Sequence, residues 1–194
     1  MTEEVVSKSV YEVGRPATFF WREETHGKHI ESAAVKIIAR LGERYDLNQF
    51  LIDNLTTEIE QRLKRAERGK LRPILEVRKI VGQGAGKIFE IKWDNLTVSH
   101  KDPVTGLYEQ ELVFVRLYYY QSKNALIHIN LWGVGLWVHE KEIVPGNDEE
   151  TRRLQNKEVS KAAEYHSNHF EQRWNVSELQ HDQQENGGLK WQMA

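Results

Sequence analysis

Eight residues recur at two-residue spacing along three short apolar runs: Glu90 and Lys92 in IFEIKW, Phe114, Arg116, Tyr118 and Tyr120 in LVFVRLYYY, and His128 and Asn130 in ALIHINLWG. In β-strands that spacing places side chains on one face of a sheet. A lysine and an arginine there suit an anion, arginine's planar fork being matched to phosphate or carboxylate. Tyrosine rings offer flat surfaces for stacking, and a histidine can exchange a proton near neutral pH. The intervening positions, Phe89, Ile91, Trp93, Val113, Val115, Leu117, Tyr119, Ile127, Ile129 and Leu131, are apolar. The pattern therefore predicts a sheet with one filled side and one working side.

The remaining elements must hold that sheet in place. Residues 1–16 are polar, without sustained period, and read as a flexible lead-in. ATFFWRE (17–23) reads as a first, edge strand closed by the turn at Thr25, His26 and Gly27. Ile30, Ala33, Ala34, Ile37, Ile38 and Leu41 follow helical spacing, with Gly42 offering a left-handed stop. Asp46 or Asn48 caps a second helix whose stripe is Leu47, Phe50, Leu51, Leu55, Ile59, Leu63 and Ala66, ending before Gly69. Two helices joined so closely form an antiparallel pair. Residues 95–108 read as a long hairpin connection, the run from Gly133 to Gly146 as a turning segment, and the stretch from about Asp148 through Phe170 and Trp174 as a C-terminal helix with an acidic first turn. The tail 180–194 is polar and reads as disordered, so residues 17–179 form one domain, and no internal repeat is visible.

Composition narrows the functional classes. A chain of 194 residues, 39% hydrophobic, can fill one core without metal or disulfide. It has no cysteine, which removes thiolate zinc, redox and disulfide chemistry and fits a reducing cytoplasm. No apolar run reaches the roughly 18 residues of a membrane span, and the N-terminus is acidic where a signal peptide is basic, so a soluble, cytoplasmic protein without membrane contact is expected. The net charge of −2 excludes a general polyanion binder and confines any nucleic-acid role to a local patch.

Two further groups bear on chemistry. Between Arg62 and Lys87 the chain is strongly basic, including Arg72, Arg78 and Lys79. These cations are either a solvated helix end or a phosphate-contacting rim. The glycines at 82, 84 and 86 precede a strand and not a helix, so they lack the setting of a nucleotide-binding loop. His166 and His169 share a helical face but have no third ligand at useful spacing, so neither a metal nor another cofactor is expected.

The order strand, two helices, antiparallel strands and C-terminal helix resembles the RelE/ParE toxin superfamily, in particular the HigB-like, phage-derived branch of bacterial type II toxin-antitoxin systems. The resemblance spans about Phe19 to His166. FFWREETHGKHIESAAVKIIARL is similar to the family's first strand, Gly-Lys turn and first helix, and GKLRPILEVRKI to its glycine-x-arginine-proline connection, here with Leu71 inserted before Arg72. KIFEIKW and FVRLYYY resemble two of its strands, and NKEVSKAAEYH its C-terminal helix.

The resemblance implies an α+β fold: a twisted, antiparallel four- to five-stranded sheet with the helical hairpin on one face and a C-terminal helix. It implies a toxin that cleaves mRNA, commonly on the translating ribosome, by attack of a ribose 2'-hydroxyl on the adjacent phosphodiester. Such chemistry needs cations on the phosphorane oxygens, a proton acceptor and a group that orients the base. Lys92 and Arg116 occupy basic positions of the family, Tyr118 and Tyr120 offer stacking surfaces, and His128 or His166 could accept the proton. Arg72, Arg78, Lys79 and Lys141 would extend the contact to RNA. The implied partner is an antitoxin of the helix-turn-helix kind. The chain departs from the family after the fourth strand, where GVGLWVHEKEIV supplies His139 and Lys141 in place of a basic pair. That departure leaves a second expectation, a binding protein on the same fold, either a gyrase poison or a non-catalytic interaction module. The cleavage expectation requires Lys92 and Arg116 to emerge together on an uncovered side of the sheet.

Overall fold

The longest element is a ribbon of two 14-residue strands, β3 (Ile88–Lys101) and β4 (Tyr108–Gln121). The computed structural model describes residues 8–80, 88–102, 104–121 and 131–179. Outside the described residues lie the glycine-rich turn, Lys87, the tail from 180, and the expected face positions Ile127, His128, Ile129 and Asn130. The turn joining β3 to β4 is shorter than the spacing predicted. Asp102 Oδ1 accepts from the N–H groups of Val104 (2.8 Å) and Thr105 (2.6 Å), which closes the connection tightly and lets both strands run to it.

The chain is α+β. Before the ribbon come β1 (Ala17–Trp21), α1 (His29–Gly42), α2 (Gln49–Glu67) and the short β2 (Val77–Lys79). After it come β5 (Leu131–Glu140), α3 (Asp148–His169) and a single 3-10 turn at Arg173–Asn175. The sheet order is β1-β5-β4-β3-β2. Three neighbouring pairs are antiparallel, but β1 runs parallel to β5, so the sheet is mixed and not wholly antiparallel. β1 is an edge strand, as its sequence predicts.

Helix boundaries follow local chemistry. The Asn48 side chain accepts from the Leu51 N–H at 3.0 Å and starts α2, and Asn147 does the same for α3 by accepting from Glu150. Gly42 is not a left-handed stop: α1 runs through it, and the cap residue Glu43 keeps a right-handed conformation. Phe50, expected in the apolar stripe of α2, is 72% exposed, and burial starts at Leu55. The C-terminal helix ends at His169, short of Trp174. Arg173, Trp174 and Asn175 all have positive φ, a left-handed turn that costs about 1–2 kcal/mol per residue and drives the Trp174 ring into the protein.

The strand alternation holds. Phe89, Ile91, Trp93, Val113, Val115, Leu117, Tyr119 and Leu131 are buried in one core with the inward residues of α1 and α2. Residues from the segment read as a lead-in join it: Ser9, Val10 and Tyr11 are buried. The run GVGLWV is not a turn but the middle of β5. Its glycines are where neighbouring rings come closest. A Cβ on Gly133 would sit 2.6 Å from the Tyr11 hydroxyl, and one on Gly135 2.7 Å from the Trp21 ring.

The opposite face is covered as well. Val159 and Ala162 of α3, with Trp174, Val176 and Leu179, pack on Phe20, Tyr118, Tyr120, Val134 and Leu136 in a second core. α3 therefore lies across the side that strand parity marks as the working one.

Candidate anion-binding site

Two bulges decide which side chains meet on that second face. In β3 an extra residue between Trp93 and Leu96 leaves Asp94 beside Arg116. In β5 one between Gly135 and Trp137 shifts the alternation, so that His139 pairs with Arg116 and Trp137 with Tyr118. Strict alternation from Val134 would have turned His139 to the other side.

Lys92 and Arg116 lie on one face, as parity predicts, and the register of β3 and β4 makes them direct cross-strand partners. They differ in exposure. Arg116 is buried at 5% exposure, with its guanidinium 2.6 Å from the Asp94 carboxylate and 3.8 Å from Glu90. It also donates to the carbonyls of Val115 (2.9 Å) and Trp93 (3.4 Å). The expectation of an open Arg116 is thus corrected: its two terminal nitrogens are engaged from within the chain, and its buried Nε lies 3.8 Å from Glu90 without a hydrogen bond. Lys92 is half-buried, and its ammonium makes no ion pair or hydrogen bond with any described residue. Lys141 is in the same condition; its backbone N–H donates to the Phe114 carbonyl at 2.6 Å, which anchors it beside β4.

Glu90 is fully buried and holds the cluster together. It accepts from Arg78 and from the Gln155 amide at 3.3 Å. Arg78, Lys92, Arg116 and Lys141 thus surround Glu90 and Asp94, four cations to two carboxylates. Burial pushes both ammonium groups below their usual range, Arg116 and Arg78 add to the effect, and Asp94 and Glu90 oppose it. A half-buried surplus of positive charge is a place where an anion is stabilised.

Tyr118 and His139 form the inner wall. The His139 Nδ1 lies 3.0 Å from the Glu140 carbonyl, which can only accept, so Nδ1 carries the proton and Nε2 accepts from the Tyr118 hydroxyl at 2.9 Å. Burial lowers the imidazole to about 4, against a smaller opposing effect of Glu158, so the ring is neutral at physiological pH. Burial and the Glu90 charge push the Tyr118 hydroxyl up. His139 is the residue that the sequence pattern failed to place, and Glu90, which it placed on the face, gains its role as the cluster's buried anion only from the fold.

The other sequence-derived candidates are elsewhere. Tyr118 is fully buried and Tyr120 is 4% exposed, so neither can stack a base as the fold stands. His166 packs on the Tyr120 ring at 4.4 Å and on Phe170 and Trp174. Tyr120 is four residues from Arg116 along β4, on the order of 13 Å, which separates His166 from the cationic cluster. Arg72 contacts Glu76 at 3.2 Å in a separate ion-pair group. Lys79 alternates with Arg78 and so points away from Glu90. Arg78 and Lys141 do join the site, and His128 lies outside the described residues. No group of three or more metal-binding side chains occurs among the described residues, and none of their helices is long and apolar enough to cross a membrane.

No family model, curated protein or solved structure matches the chain.

Proposed function

We propose that the cluster of Arg78, Lys92, Arg116 and Lys141 binds the phosphodiester backbone of RNA, and that the chain acts on mRNA as the toxin of a type II toxin-antitoxin pair. In this reading Lys92, Lys141 and Arg78 stand in place of the uncovered Arg116 that the sequence reading required and the fold buries. The observation that carries this is the pair of half-buried lysines that lie beside two arginines and outside ion-pair distance of any described carboxylate. Direct contact with phosphate falls to Lys92, Lys141 and the half-exposed Arg78. Arg116 acts from beneath, by fixing Asp94 and by its charge. Lysines lowered by burial can exchange a proton closer to neutral pH than free ones, which suits Lys92 to proton transfer during 2'-hydroxyl attack. The order of elements and the mixed five-stranded sheet with a helical hairpin on one face are compatible with a RelE-like arrangement.

A second reading, a non-catalytic RNA-binding or interaction module on the same fold, is favoured by one observation: the Arg116 guanidinium is already engaged by Asp94 and Glu90. An RNA incubation separates the two, and expression in a bacterium tests the gyrase alternative. The purified protein is incubated with single-stranded RNA in the presence of a chelator, alone and with ribosomes. Fragments ending in 2',3'-cyclic phosphate, lost in Lys92→Met, support cleavage. Bound but intact RNA supports the module. Absence of binding under both conditions rejects both readings, and growth arrest on expression with intact transcripts and a DNA-damage response points to the gyrase alternative.

A further inference from the structure

Strand parity places one more ring at the edge of the cationic cluster, and it is not one of the tyrosines. Phe114 precedes Arg116 by two residues on β4, on the same face and about 7 Å away. It is half-buried and belongs to neither core. Leu112, two residues further along that face, is 59% exposed. The bond from the Lys141 N–H to the Phe114 carbonyl sets the chain of Lys141 against this position. An apolar step, Phe114 and Leu112, therefore adjoins the two lysines.

We propose that Phe114, with Leu112 beside it, is the stacking surface of the site, so that its ligand is an unpaired nucleotide within single-stranded RNA. A bare phosphate is strongly hydrated and gains nothing from an apolar neighbour. A duplex keeps its bases stacked on one another and presents only its backbone. An unpaired base has a free π-face that a phenyl ring can cover while its own phosphate meets Lys92 and Lys141. The proposal rests on the anion-binding reading above and replaces Tyr118 and Tyr120 in the stacking role.

The test measures binding by the full-length protein of a 2'-O-methyl hexauridylate, which cannot be cleaved, alongside an abasic backbone of the same length and an RNA duplex. Phe114→Leu keeps an apolar side chain and removes the ring. It should weaken the hexauridylate about tenfold while leaving the abasic backbone and duplex unchanged, and Phe114→Trp should restore binding. Lys92→Met should weaken all three. Equal losses on all three ligands in Phe114→Leu, or no loss on any, overturn the stacking assignment while leaving the phosphate site standing. Failure of the unmodified protein to bind any of the three removes the phosphate site and the stacking assignment with it.

Discussion

Glu76 and Glu90 are both buried carboxylates ringed by arginines, one before and one within the β2–β3 hairpin, and they differ in what is left over. Glu76 accepts from the Arg72 N–H (2.9 Å) and from the side chains of Arg72 (3.2 Å) and Arg65 (2.7 Å), with Arg62 at 3.7 Å. Each of these cations lies within ion-pair distance of that one anion, Arg62 also donating to the Lys92 carbonyl, and the group ties the end of α2 to the segment leading into β2. Glu90 holds Arg78 and approaches Arg116, but Lys92 and Lys141 stand beside it with no anion of their own among the described residues. In the first group all three arginines reach the carboxylate and the group serves the fold. In the second the same excess of charge is left on two half-buried ammonium groups beyond ion-pair distance of either carboxylate, which is the charge an outside anion would meet.

The largest expected effect tests that surplus. Lys92→Met with Lys141→Met should lower affinity for single-stranded RNA about 100-fold, from the loss of two charge-assisted contacts. The slope of log affinity against log salt should shrink by about 1.4, measured by fluorescence anisotropy over a salt series. The melting temperature should hold or rise, because both ammonium groups are held below their ordinary range.

Next comes Glu76→Gln, which should cost about 2 kcal/mol in urea unfolding and leave RNA affinity of the folded protein unchanged. The cost is less than for a fully buried pair because Arg65 and Arg72 reach solvent. Burial raises this carboxyl, but the Arg72 N–H and the surrounding guanidinium groups outweigh it and bring it down to about 2. A depressed carboxylate stabilises the folded state above its unfolded value, about 4.5, and that contribution is lost as pH falls toward 2. The variant should therefore show a flatter acid limb in that window.

His139 governs a different window. The unfolded imidazole takes up a proton as pH falls through about 6.5, whereas the folded one resists until about 4. Stability is thus fully present above 6.5 and declines below it, by about 1 kcal/mol between pH 6 and pH 5. His139→Phe should remove that decline without altering the limb that belongs to Glu76. The smallest effect is on Glu90→Gln, which should raise RNA affinity about threefold by releasing Arg78. An unchanged or lowered affinity there would erase the distinction between the two glutamates.

Much of this arrangement is legible in the sequence, and the illegible part has identifiable causes. The apolar positions of β3 and β4 and the shared face of Lys92 and Arg116 follow from period alone, while capping chemistry leaves Asp46 and Asn48 open and the structure selects Asn48. Periodicity says which side a residue faces, but not what lies over that side. Arg116, Tyr118 and Tyr120 therefore read as exposed, although α3 and Trp174 help to bury this face. His139 reads only as a cation beyond the fourth strand, and not as a member of this face, because a bulge at Leu136 resets the alternation, and a bulge leaves no mark when its residues are ordinary apolar ones. β5 itself reads as a turn because Gly133 and Gly135 are poor strand residues in isolation. Their reason is Tyr11 and Trp21, more than a hundred residues earlier in the chain.

The parallel seam between β1 and β5 also orders events during synthesis. Ala17 lies against Leu131, so the first strand to be made cannot find its neighbour until most of the chain has left the ribosome. The β3–β4 ribbon, joined by a tight turn, can zip locally long before that. Until β5 inserts between β1 and β4, β1 has no strand to pair with, whereas α2 already has a seat on the ribbon, where Arg62 donates to the Lys92 carbonyl and the Asp46 N–H to that of Ser99.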